Sequence, residues 1–146
     1  MRLTHIGLCV SDLDASLRFY RDRLGFREVS RLDVAGAAAE RLLELAPLAL
    51  RAVWLERDGT RVELLHYAKP GHAGDATPAP MNRLGLTHLS LRVADLDATL
   101  SELRGAGVRV LEATRVEIPE AGARAAFVTD PDGTRIELVE GGPVPA

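Results

Sequence analysis

Cysteine is almost missing from this chain, since Cys9 is the only one in 146 residues. A single thiol excludes an intramolecular disulfide framework and gives no sign of an oxidising compartment. Lysine is as scarce. Lys69 stands alone, so the basic charge is carried by arginines scattered along the chain, the pattern of solvated faces and ion pairs. With a formal net charge of -3 and no basic cluster, nucleic acid is a poor candidate for the main partner. No apolar run approaches the ~20 residues that cross a bilayer. Met1 to Val10 lacks the charged stretch, long apolar run and small-residue cleavage site of a secretion signal. These absences predict a cytoplasmic protein that binds neither membrane nor nucleic acid.

What the chain does have is apolar material and a repeat. Hydrophobic residues make up 47% and charged residues 27%, enough for a real core in one domain or in one domain of two small halves. Leu3 to Leu17 reads LTHIGLCVSDLDASL, and Leu86 to Leu100 reads LTHLSLRVADLDATL, with ten of fifteen positions identical. Asp58 to Leu64, DGTRVEL, and Asp132 to Leu138, DGTRIEL, match at six of seven. Both matches fall in the same order, so one unit occurs twice. The predicted organisation is a first module over 1–69, a Pro/Gly/Ala-rich linker over 70–83, a second module over 84–142 and a tail over 143–146.

Pattern then gives the coarse structure of each unit. His5 to Val10 and His88 to Val93 are short apolar runs that read as strands. Ser11-Asp12 and Asp95 offer helix N-caps. Leu13, Leu17, Tyr20 and Leu24 follow at helical spacing, as do Leu96, Leu100 and Leu103. Gly25 and Gly107 stand where a helix end favours a left-handed residue. Three strands follow in each unit: near Arg27 to Leu32, Leu48 to Glu56 and Arg61 to Tyr67 in the first, and near Val108 to Arg115, Ala123 to Thr129 and Thr134 to Glu140 in the second. Asp58-Gly59 and Asp132-Gly133 are turn signals, and Ala35 to Leu45 predicts an extra short helix in the first unit. The fold class is α+β: two tandem βαβββ modules whose sheets pair into an open, barrel-like cleft, because one helix cannot cover both faces of a four-stranded sheet.

Each unit twice sets a polar side chain inside an apolar strand. His5 and His88 lie on the first strands. Glu63, between Val62 and Leu64, and Glu137, between Ile136 and Leu138, lie on the last. A carboxylate or imidazole facing a sheet interior is costly unless paired or bound to a cation. Two His and two Glu at equivalent places of a repeat make a four-donor N/O set that suits Zn, Ni, Co, Mn or Fe. His66 faces away from Glu63 and His72 falls in the linker, so neither is taken as a ligand. Cys9 shares a face with His5, but Arg92 stands at its place in the second unit.

These residues resemble the vicinal oxygen chelate superfamily, which includes glyoxalase I, methylmalonyl-CoA epimerase, extradiol dioxygenases and the fosfomycin and bleomycin resistance proteins. The resemblance is carried by LTHIGLCVSDLDASLRFYRDRLGF at Leu3 to Phe26, RVELLHY at Arg61 to Tyr67, LTHLSLRVADLDATL at Leu86 to Leu100 and FVTDPDGTRIELVE at Phe127 to Glu140. It implies a glyoxalase I-like metal set of His5, Glu63, His88 and Glu137 around one divalent ion. It also implies a lyase or epimerase chemistry, in which the metal holds an enediolate and Glu137 or Glu63 moves a proton beside the carbonyl. Epimerase members place that glutamate at the position of Glu137. The family's alternatives are a drug- or metabolite-binding resistance protein without turnover and a dioxygenase of one module pair. Homodimers are common in the family, and a homodimer is expected here.

The same resemblance frames the substrate contacts. Bacterial glyoxalase I carries an Arg four residues after its first His and an Asn four residues after its first Glu. This chain has Cys9 and Tyr67 there, which cannot grip glutathione in the same way. Arg92, the only arginine on the His88 strand face, is expected either to anchor an anionic small-molecule substrate or to stand in an ion pair at the rim.

Overall fold

The computed structural model describes residues 1–143, and 144–146 of the expected tail lie outside the described residues. The chain divides into two compact units, Met1–Gly74 and a second that begins at Asp75. Each is a four-stranded mixed sheet with its own helix, and neither sheet closes into a barrel.

In the first unit the order along the chain is β1 (Ile6–Cys9), α1 (Leu13–Leu17), β2 (Arg27–Ala35), α2 (Ala37–Leu43), β3 (Ala49–Arg57) and β4 (Thr60–Lys69). The sheet runs β1-β4-β3-β2, with β1 parallel to β4 and the other pairs antiparallel. The second unit repeats this with β5 (His88–Val93), α3 (Leu96–Gly105), β6 (Arg109–Ile118), β7 (Ala123–Thr129) and β8 (Arg135–Gly141), in the order β5-β8-β7-β6. A parallel neighbour needs a crossover, and α1 and α3 begin those crossovers. Both helices start as the sequence predicts. Asp12 and Asp95 sit in extended backbone, and each carboxylate accepts from a backbone N–H three residues on, that of Ala15 or Ala98, at 2.9 Å.

The two helices then differ. α3 stays regular for ten residues, whereas α1 widens after five into a π-helical stretch, Arg18–Arg23, with Leu24 N–H bonded to Phe19 C=O at 3.0 Å. The wider turn buries two consecutive aromatics, Phe19 and Tyr20, which meet edge to face with centroids 5.0 Å apart; Tyr20 also meets Phe26 at 5.9 Å. The regular helical spacing read from Leu13, Leu17, Tyr20 and Leu24 does not resolve that widening.

Strand alternation decides what each sheet face carries. Val62 and Leu64 on β4, and Ile136 and Leu138 on β8, are fully buried with the helix residues Leu13, Leu17, Leu96 and Leu100. Glu63 and Glu137 lie between them and point to the opposite face. The turns that aim these strands are tight. Asp58 and Gly59 both have positive φ, 51° and 79°, the backbone of a type I′ hairpin. Gly133 has φ 84°, and a Cβ there would stand 2.5 Å from the carbonyl oxygen of Ala76, so only glycine fits.

Three strands run two or more residues past their predicted ends. β2 continues to Ala35 and β4 to Lys69 because each keeps a partner on β3 to its end. β6 reaches Ile118 across a bulge between Leu111 and Val116. Thr114 fills that bulge. Its Oγ1 donates to Leu111 C=O at 2.6 Å and accepts from Phe127 N–H at 2.9 Å.

A candidate metal centre

In the first unit the parallel register sets Gly7 opposite Glu63, and β3 brings Trp54 opposite Glu63 from the other side. His5 stands one residue before β1, at the end of the strand rather than within it. From there its Nε2 reaches Glu63 Oε2 at 3.0 Å. Its Nδ1 lies 3.1 Å from Thr4 Oγ1, and its ring meets Trp54 edge to face at 6.2 Å. A side-chain oxygen on Nδ1 fixes the orientation of the ring and leaves Nε2 as the nitrogen that faces the carboxylate.

The second unit repeats the Thr–His–Glu–aromatic arrangement, with Phe127 in the place of Trp54. Thr87 Oγ1 lies 2.9 Å from His88 Nδ1, and His88 meets Phe127 edge to face at 5.5 Å. Its Nε2 is 3.7 Å from Glu137 Oε2. Phe127 stands opposite Glu137 in the register, as Trp54 stands opposite Glu63. The guanidinium of Arg135 caps the Phe127 ring at 5.7 Å, and its Nε donates to Ala79 C=O at 3.1 Å. Thr4, Thr87, Trp54 and Phe127 were not singled out from sequence. The two threonines were legible as part of the repeated LTH. The two aromatics follow a repeated Arg-Ala, at Arg51-Ala52 and Arg124-Ala125, but differ in type, and an aromatic in a strand is not by itself a site signal.

Each pair has the chemistry of a half-set of metal ligands. Two donors about 2.0–2.2 Å from one cation stand roughly 3.0–3.5 Å apart, and the two His–Glu separations bracket that range. One imidazole and one carboxylate per unit, with each imidazole held from behind by a hydroxyl, suit a borderline divalent ion. Among the described residues no group of three or more His, Cys, Asp or Glu side chains is placed to hold a metal by itself, so each unit offers two donors.

The expected substrate contacts fall into two groups. Cys9, Glu63 and Tyr67 share one face of the first sheet, with Cys9 beside Leu65 and Tyr67 four residues beyond Glu63. Burial pushes the Tyr67 phenol above its ordinary range, and the neighbouring Cys9 and Glu63 add to the shift. Arg92 differs. Its guanidinium donates to the backbone carbonyls of Gly141, Gly142 and Pro143, the last two at 3.3 and 3.1 Å, so an anionic ligand would have to displace them. An open cleft of about 490 Å³, lined by Arg2, Leu3, Thr4, Glu56, Gly59 and Arg61, adjoins the Thr4–His5 edge of the first unit.

Known proteins share the sequence pattern and the fold of this chain. The sequence model of the Glyoxalase/Bleomycin resistance protein/Dioxygenase superfamily matches residues 2–138. A lactoylglutathione lyase of Haemophilus influenzae is 30% identical over 142 residues, covering 96% of this chain and 93% of the relative. An ethylmalonyl-CoA/methylmalonyl-CoA epimerase of Cereibacter sphaeroides is 28% identical over 141 residues, covering 94% and 96%. The crystal structure of a glyoxalase family protein from Bacillus cereus superposes with a TM-score of 0.84 at 23% identity, covering 98% of this chain and 95% of that one, a likeness of fold.

Proposed function

Because the chain belongs to the Glyoxalase/Bleomycin resistance protein/Dioxygenase superfamily, we propose that it is a divalent-metal-dependent lyase or isomerase. Its substrate in this reading is a small oxygen-bearing molecule, an α-hydroxycarbonyl compound or a thioester. Members of the superfamily are typically divalent-metal dependent. One observation carries the reading: the Thr–His–Glu–aromatic constellation occurs at equivalent positions of both units, with each imidazole aimed at its carboxylate. A lone His–Glu pair is ordinary, but the same pair built twice with the same support favours a shared task.

In this reading His5, Glu63, His88 and Glu137 supply the ligands of one ion, of the class Zn, Ni, Co, Mn or Fe. The ion supplies Lewis-acid polarisation of the substrate's carbonyl oxygen. Glu137 takes the proton from the carbon beside that carbonyl, and the electron pair of the C–H bond moves toward the oxygen. The same carboxylate returns the proton to the neighbouring carbon in a lyase or isomerase; in an epimerase the proton for the other face of the carbon comes from a second acid on that side, a side chain or water. Glu63 stays a ligand. Tyr67 and Cys9 form the wall beside it, and Arg92 steers the anionic end of the substrate. Lacking the Arg and Asn that hold glutathione in glyoxalase I, the chain turns over the glutathione adduct of methylglyoxal weakly or not at all. The protein works as a cytoplasmic homodimer, and no helix among the described residues is long and apolar enough to cross a membrane.

Elemental analysis of the purified protein, with activity assayed before and after chelation, tests the proposal. Zn or Ni at about one per chain, with activity lost to chelator and restored by metal, supports it. Fe(II) with oxygen uptake would make the protein a dioxygenase. Ligand binding that persists in metal-free protein would make it a binder.

A further inference from the structure

The repeat places a different residue opposite each glutamate. In the first unit Gly7 faces Glu63 and brings no side chain. In the second, Ser90 faces Glu137. Ser90 Oγ lies 2.7 Å from Glu137 Oε2, the length of a charge-assisted O–H···O bond, and the hydroxyl is its only donor. The effect shows in the neighbouring distance. Glu63 Oε2, with no such donor, sits 3.0 Å from His5, whereas Glu137 Oε2 stands off to 3.7 Å from His88. The hydroxyl and the imidazole address the same oxygen, and the shorter contact is to the hydroxyl.

We propose that Ser90 is a positioning residue for Glu137, and that this single hydroxyl makes the two repeat-equivalent glutamates unequal. Glu137 is held by a neighbour on its parallel strand, with Oε2 taken and Oε1 left for other work. Among the described residues Glu63 meets His5 and has no hydroxyl opposite it on β1. A group that must meet a substrate C–H in one direction gains from being fixed before the substrate arrives. The preorganised carboxylate is therefore Glu137. The inference rests on the metal reading above. It adds what that reading lacks, a physical difference between two ligands that the repeat would otherwise make equivalent. Gly7 is the internal comparison, because the parallel pairing of β1 with β4 is repeated by β5 with β8 at this position.

The test reads metal, not turnover. Co(II) is titrated into metal-free wild type, Ser90→Ala and Ser90→Thr, and affinity and the visible absorption bands are recorded. Ser90→Ala is then repeated in Glu137→Ala and Glu63→Ala backgrounds, with circular dichroism to confirm folding. Groups that orient a metal ligand typically contribute about ten- to a hundredfold in affinity. Ser90→Ala is therefore expected to weaken Co(II) binding on that scale and to alter the bands, and Ser90→Thr, which keeps the hydroxyl, to behave as wild type. The Ser90→Ala effect should vanish when Glu137 is already Ala and persist when Glu63 is Ala, since coupling is confined to groups in contact. Wild-type affinity and spectrum in Ser90→Ala, or an equal effect in both backgrounds, would overturn the role of Ser90 and leave the metal reading standing. A wild-type protein that binds no Co(II) would overturn both.

Discussion

Glu63 and Trp54 stand opposite one another across β4 and β3, and His5 closes on both, its Nε2 3.0 Å from the carboxylate and its ring edge-to-face with the indole. Glu137, Phe127 and His88 repeat the relationship. An aromatic beside the pair keeps water from one side of the carboxylate and limits the rotamers of the imidazole, so each His–Glu pair is held before any ligand arrives.

Metal should therefore stabilise the fold. A ligand that binds only the native state raises stability by RT ln(1 + [L]/Kd), about 2.7 kcal/mol at a hundred times Kd. Thermal melts of metal-free protein with and without Zn(II) or Ni(II) should show a rise in Tm in the wild type. The rise should be largely lost in a His5→Ala/His88→Ala variant. Equal shifts in both would place metal binding elsewhere.

Alkaline stability should fall through Tyr67. Its phenol is raised by burial, with Cys9 and Glu63 adding. Its folded-state value thus lies above the unfolded value of about 10, so between the two the unfolded state has already lost the proton that the folded state keeps. The contribution is complete below the unfolded value and disappears as pH rises through the folded one. Melts at rising pH should show a steeper alkaline loss in wild type than in Tyr67→Phe. Matching slopes would mean that Tyr67 is solvated.

Two glycines of the repeated turns should separate conformation from crowding. Gly59 has φ 79° and nothing within 4 Å of a built Cβ, so Gly59→Ala should cost about 1–2 kcal/mol, the general cost of a left-handed residue. Gly133 has φ 84° and the Ala76 carbonyl oxygen at 2.5 Å, so Gly133→Ala should cost clearly more. Denaturant melts of the two variants check the order, and equal losses would mean that the 76–78 backbone yields freely.

Much of this fold could be read from the chain because the repeat presents it twice. The strand of His88, the caps at Asp12 and Asp95 and the turns at Asp58 and Asp132 all follow from local pattern, and local pattern is what these elements obey. The π-helical stretch at Arg18 and the bulge at Thr114 do not, because packing of Phe19 and Tyr20 and pairing with Phe127 decide them. His5, Glu63, His88 and Glu137 stood out as polar residues in apolar strands. Trp54 and Phe127 did not, since an aromatic in a strand is ordinary and only the register shows what it faces. Arg92 was legible as a cation, but its engagement by carbonyls from the end of the chain is a long-range contact that no spacing reveals.

Leu3 and Leu86 occupy equivalent places in the repeat, two residues before each histidine, and both are more than four-fifths exposed. Leu84 is exposed at 98%. Large apolar side chains left open in this way favour a second copy of the chain as their cover. Sedimentation at micromolar protein should give a dimer. A single species near the 15.7 kDa of one chain would remove the idea.

The two glutamates should part company in catalysis. Glu63→Gln and Glu137→Gln each keep a carbonyl oxygen that can ligate, more weakly without the charge, and each loses the ability to accept a proton near neutral pH. A bound substrate presents its acidic C–H to one side only, so one carboxylate works as base and the other as ligand. The base is assigned to Glu137, which Ser90 already holds at 2.7 Å, whereas Gly7 offers Glu63 no side chain. On any substrate the wild type turns over, Glu63→Gln should keep measurable activity. Glu137→Gln should lose about two to four orders of magnitude in kcat, the usual scale for a general base. The reverse order would move the base to the first unit. Equal, nearly full activity in both variants with metal still bound would mean that neither carboxylate carries the proton.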